Sequence, residues 1–90
     1  MRVAMIQMDM ELGRPDENFE KAVRLTEEAC AARPDVITLP ETWNVGFFPR
    51  KNLEELSDRD CSRVRENFSM LARQHAVNII AGTVANRKPD

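Results

Sequence analysis

Few residues in this 90-residue chain are placed to do chemistry. Glu41 has the most suggestive surroundings, since it closes the run Leu39-Pro40-Glu41 and is followed by Trp43, Gly46, Phe47, Phe48 and Pro49. Aromatic side chains exclude water, and a carboxylate in a partly desolvated cleft can serve as a general base. Position alone leaves open a blander reading of Glu41 as a solvated loop acid or a helix cap. Trp43, Phe47 and Phe48 could line a substrate pocket, or equally plug the space between this loop and other layers. Cys30 and Cys61 are the two thiols. Both fall on the apolar stripes of expected helices, where a packed, reduced thiol is the expectation rather than a nucleophile. His75, the single histidine, ends such a stripe just before a strand, which suits packing or a contact with the negative end of the helix dipole.

The elements that must position these residues can be read from periodicity. Arg2 to Met8 contains Val3, Ala4, Met5 and Ile6, a nearly continuous apolar run of the kind found in a strand covered on both faces. Gly13, Arg14 and Pro15 break it, and Pro15 with Asp16 and Glu17 suits the first turn of a helix. Phe19, Ala22, Val23, Thr26, Ala29 and Cys30 then form one stripe, opposite Glu17 with Lys21 and Glu20 with Arg24 at i,i+4 spacing. Pro34 stops this helix. Asp35 to Leu39, bounded by Pro34 and Pro40, is a second strand. Residues 41–52 form an irregular aromatic loop. Ser57, Asp58 and Asp60 can cap a second helix whose stripe is Cys61, Val64, Phe68, Leu71, Ala72 and His75. Val77 to Val84 makes a third strand ahead of a polar tail at 86–90.

Strand, helix, strand, helix, strand is the order of an α/β layer with parallel pairing. Right-handed crossovers tend to put both helices on one side, so the other face of the sheet is expected to be bare and to need a partner layer from further chain or another subunit. In an open parallel sheet, ligands bind beyond the carboxyl ends of the strands, which is where Glu41 falls.

Composition narrows the function classes. Hydrophobic residues at 42% and charged residues at 31% describe a globular chain, and 13 basic against 15 acidic residues, a net charge of −2, provide no basic stripe for nucleic acid or an anionic membrane. No apolar run approaches the ~20 residues that span a bilayer, and the N-terminus does not read as a signal peptide, so the default location is the cytoplasm. Cysteine and histidine spacing indicates no zinc site, the methionines suggest packing rather than metal binding, and no cofactor is expected. A nucleotide-binding domain is disfavoured because neither strand–helix turn carries a phosphate-cradling glycine pattern.

Several segments taken together resemble the N-terminal part of nitrilase-superfamily amidases, which are carbon–nitrogen hydrolases. They are Arg-Val-Ala-Met-Ile-Gln-Met at the start, the acid-rich opening of the first helix with Asn18, Pro-Asp-Val-Ile-Thr-Leu-Pro-Glu ending at Glu41, Gly46-Phe47, and Val-Asn-Ile-Ile-Ala-Gly-Thr-Val. The most specific element is an apolar strand delivering Leu-Pro-Glu into an aromatic, glycine-containing loop. The resemblance implies that residues 1–90 are the first segment of a single αββα-sandwich domain, incomplete by itself. It also implies a Glu-Lys-Cys triad of which only Glu41 is present, a small amide or carbamoyl substrate, and assembly as a homodimer or higher homo-oligomer. The chain alone would then be inactive. Trp43 and Phe47 are the candidate substrate-binding residues, though the family commonly has Tyr where Phe47 stands, so a hydroxyl contact is missing. A competing reading is a non-catalytic module that binds a protein partner through its bare sheet face.

Overall fold

The computed structural model describes residues 1–41, 43–44, 57–59, 61–84 and 86–87. In chain order the elements are β1 (Val3–Met5), α1 (Pro15–Cys30), β2 (Val36–Thr38), β3 (Asp58–Arg59), α2 (Ser62–His75), β4 (Asn78–Ile80) and β5 (Asn86–Arg87). Strands β1, β2 and β4 form one parallel sheet in that order, with Val3, Val36 and Asn78 in one register row and Met5, Thr38 and Ile80 in another. The α/β layer expected from periodicity is present.

Side chains alternate across a strand, so the two faces of the sheet can be read separately. Ala4, Ile37 and Ile79 share the face that meets the helices, where Ile37 is fully buried and Ile79 packs against the core. The core itself joins Phe19 and Ala22 of α1, Leu39 and Trp43 after β2, and Phe68 and Leu71 of α2. On the opposite face Val3 is 50% exposed, Met5 74% and Ile80 59%. Both helices therefore lie on one side and the other face is bare, as the two crossovers imply, so within this chain β1 is covered on one face only.

Helix α1 starts at Pro15 with Asp16 and Glu17 in its first turn, and it buries Asn18, Phe19, Ala22 and Thr26. The charge pairing differs from the i,i+4 expectation. Glu17 pairs with Arg14 at 3.3 Å, and Lys21 donates instead to the carbonyl of Asp9 at 2.5 Å. Exposed ion pairs are worth only a few tenths of a kcal/mol, so small local geometry decides among them. The helix unwinds through three successive N–H groups, of Ala31, Ala32 and Arg33, that donate to carbonyls three residues back, and Arg33 then takes a left-handed φ of 51° before Pro34.

Helix α2 begins later than its sequence stripe suggested. Cys61 stands ahead of it in the N-cap position, left-handed at φ 53° and with no side-chain cap. It is therefore not part of the helical stripe, and at half-burial it is less packed than expected. The cap comes from Asp58, whose buried carboxylate accepts from the backbone N–H of Arg63 at 3.0 Å and of Val64 at 2.9 Å. Those are two of the four N–H groups that a helix start leaves unpaired. At the other end His75 is an exposed member of the last turn.

The third strand is also shorter than the apolar run Val77–Val84, because the chain leaves the ladder after Ile80 and Gly82 turns with φ 67°. The expected polar tail instead contributes β5, which pairs in parallel with β3. Among the described residues no helix is long and apolar enough to cross a membrane, and no group of three or more His, Cys, Asp and Glu is arranged to hold a metal ion.

Candidate active-site edge

Glu41 follows the central strand β2 by three residues, at the carboxyl edge of the sheet. Its side chain is exposed, whereas the sequence pointed to a partly desolvated cleft. The aromatic cover inferred for that cleft involved Phe47 and Phe48, which lie outside the described residues, and Trp43, which points elsewhere.

Trp43 is fully buried. Its ring meets Phe19 edge-on at 4.6 Å between centroids and Phe68 at 5.6 Å, and its indole N–H donates to the carbonyl of Ala81 at 2.8 Å. Edge-to-face packing and a satisfied N–H are what a buried tryptophan requires. In this chain Trp43 is a core plug and presents no surface to a substrate. Its role near Glu41 is mechanical, since it ties the residue two places beyond Glu41 to the segment that follows β4.

The backbone on the near side of Glu41 is held by the same segment. Leu39 donates its N–H to Ile80 at 2.9 Å, and the Pro40 carbonyl accepts from Thr83 at 3.4 Å. Gly82 lies so close that a Cβ added to it would fall 2.1 Å from the Pro40 oxygen and 2.5 Å from that of Leu39. Only glycine combines that approach with a φ of 67°. The early departure of β4 from the ladder thus lets residues 81–83 fasten the chain around Glu41.

A second fastening comes from the helix layer. Asn18 is fully buried on α1, its Oδ1 accepts from the Glu11 N–H at 2.7 Å, and its Nδ2 donates to the carbonyls of Glu11 at 2.8 Å and Asn44 at 2.9 Å. Sequence reading did not single out this role. The available signal was a polar Asn next to Phe19 at the start of the apolar stripe, because such a side chain, once buried, must find partners.

The other candidates stand apart. Cys30 is half-buried at the far end of α1, and burial, with a smaller contribution from Glu27, pushes its thiol up from the usual value of 9.0. It is held protonated at neutral pH, the opposite of an activated nucleophile. A cleft of about 710 Å³ between the start of α1 and the start of α2, lined by residues that include Arg14, Asp16, Asp58 and Arg63, does not include Glu41. The arrangement around Glu41 therefore presents one exposed carboxyl side chain on a firmly held backbone.

The family model for Carbon-nitrogen hydrolase matches residues 2–90. The chain is 37% identical over 86 residues to 2-oxoglutaramate amidase of Bacillus subtilis, a match covering 96% of this chain and 32% of that protein. It is 32% identical over 89 residues to the Hydrolase in agr operon of Staphylococcus aureus, covering 96% of this chain and 33% of that protein. It is 33% identical over 86 residues to Nitrilase of Pyrococcus abyssi, covering 92% of this chain and 33% of that protein. The chain thus spans about a third of the length of the curated relatives it matches.

Proposed function

Since this chain belongs to the carbon–nitrogen hydrolase family, we propose that it is the first segment of an amidase-type enzyme in which Glu41 is the general base. The observation that carries this reading is the position of Glu41. It is an exposed carboxylate at the carboxyl edge of the sheet, on a backbone anchored on both sides, at the place where open parallel sheets bind ligands.

In the proposed reaction Glu41 takes the proton of a cysteine thiol, and the thiolate attacks the carbon of a small linear carboxamide or carbamoyl compound. Collapse of the tetrahedral intermediate expels ammonia or an amine, which leaves with the proton held by Glu41, and water hydrolyses the thioester to the acid and restores the thiol. A lysine stabilises the developing oxyanion. That lysine and that cysteine belong to chain beyond these 90 residues, so the segment alone is inactive. Phe47 is proposed to face substrate, and Trp43 to support the loop from within. The bare sheet face is proposed to receive the rest of the sandwich, in a protein that assembles as a homodimer or larger.

The same bare face, with Val3, Met5 and Ile80 exposed, favours a second reading in which the segment is a non-catalytic module for a protein partner. Glu41→Gln in the complete protein separates the two. It keeps the shape and removes the proton acceptor, so kcat/KM should fall by about 10²–10⁴ while KM changes little. Turnover within a few fold of wild type, in folded protein, removes Glu41 from the mechanism.

A further inference from the structure

Asn18 is the fourth residue of α1, where its helix propensity is poor and its burial is complete. The pattern it meets is specific. Two backbone carbonyls, of Glu11 and Asn44, face its Nδ2, and one backbone N–H, of Glu11, faces its Oδ1. Turning the amide over would set an oxygen against two carbonyls and an NH2 against an N–H, so the partners fix its orientation. A carboxamide of this length is the side chain that answers two acceptors and one donor together. An aspartate loses both donors, and a serine hydroxyl can donate only once.

These bonds join the loop after β1, through Glu11, to the loop after β2, through Asn44. The β4 side already holds Pro40 and Trp43, through Thr83 and Ala81. Asn18 adds the hold on residue 44 and closes the frame around Glu41 from the helix layer. We propose that Asn18 is a positioning residue for Glu41, setting the backbone from which its carboxylate reaches the nucleophile. The inference rests on the reading of Glu41 as the base. A misplacement of about 1 Å can cost ~10² in rate, so loss of this hold should appear in the chemical step rather than in substrate binding.

The test uses the complete protein. Asn18→Asp keeps the size and the acceptor and turns an oxygen toward the Asn44 and Glu11 carbonyls. Expected is a fall in kcat approaching ~10²-fold with KM within a few fold, and little further loss when Asn18→Asp is added to Glu41→Gln, because the group it positions is already gone. Losses that multiply in the double variant, or unchanged kcat in folded Asn18→Asp alongside lost turnover in Glu41→Gln, overturn the inference and leave the base assignment standing. Unchanged turnover in Glu41→Gln overturns both. Should Asn18→Asp fail to fold, Asn18→Ser, with one donor restored, should lower kcat in the same direction. In the wild-type protein the Asn18 side-chain amide protons should exchange with solvent far more slowly than those of an exposed asparagine, and rapid exchange overturns the hold itself.

Discussion

Gly82→Ala should damage both the fold and the proposed reaction, and the size of each effect follows from two terms. The first is conformational: a residue with a Cβ held at φ 67° costs roughly 1–2 kcal/mol relative to glycine. The second is steric. The new Cβ would stand 2.1 Å from the Pro40 oxygen, and opening that contact to 3.0 Å requires a movement of about 0.9 Å. The atom displaced is backbone, fixed by the Thr83 and Ile80 hydrogen bonds on either side, so it cannot yield as a flexible side chain would. Crowding of this kind typically costs ~1–3 kcal/mol. Together the terms give a destabilisation of ~2–5 kcal/mol, seen as a lower urea midpoint at an unchanged slope. The same 0.9 Å shift arises at the residue before Glu41. In the variant that remains folded, kcat/KM should therefore drop by an amount approaching ~10²-fold. A Gly82→Ala protein within 0.5 kcal/mol of wild type, on the order of an ordinary surface substitution, and with turnover within a few fold, would refute the argument that this contact sets the backbone at Glu41.

Asp58→Ala should lower stability by about 1–2 kcal/mol in a urea melt, because two N–H groups at the start of α2 lose their acceptor; a neutral effect would mean that water serves them equally well. Cys30→Ala and Cys61→Ala should leave the chemical step nearly intact, and loss of a thiol-dependent burst in either folded variant would overturn the structural reading of these cysteines. Burial first, and Glu27 second, raise the Cys30 thiol in the folded state, so its stabilising contribution is complete below the unfolded value near 9.0 and is lost as pH climbs through the folded one. Melts at alkaline pH should accordingly show a steeper loss for wild type than for Cys30→Ala, and parallel curves would refute the linkage. The isolated 90-residue chain should associate in size-exclusion chromatography through the face that carries Val3, Met5 and Ile80, whereas a monomeric, cooperative melt would count against that face as a docking surface.

What could be read from sequence was what depends on local period. The stripe Phe19, Ala22 and Thr26 marks the buried side of α1, and the short β-branched run between Pro34 and Pro40 marks β2. Parallel order with two crossovers was enough to foresee the bare face. What escaped depends on contacts distant in sequence. The Asn18 bond to Asn44 spans 26 residues, and Trp43 reaches Ala81 across 38, so neither leaves a periodic trace. The end of β4 was misplaced because Ala81, Thr83 and Val84 continue an apolar and β-branched pattern, while the interruption is imposed by how closely Gly82 approaches Pro40. Asp58 was recognised as a capping residue, yet the left-handed Cys61 that lets it act from outside the helix was not legible. The sequence places Glu41 at the edge of the sheet, but exposure is a property of whatever surrounds a residue: of the neighbours expected to cover it, Trp43 turns into the core, and Phe47 and Phe48 fall outside the described residues.

The strand order β1-β2-β4 leaves β2 with a partner on each side. Its last residue, Thr38, is registered against Met5 and Ile80 at once, so the departure point of the chain toward Glu41 is fixed by two independent rows of backbone bonds. Growth of such a sheet can occur only at its outer edges, beside β1 or beside β4. Strands added there would widen the molecule while the middle stays where it is. A central strand of this sort serves as a fixed origin, from which the architecture around it can be enlarged, shortened or joined to another copy without moving the residue that the strand delivers.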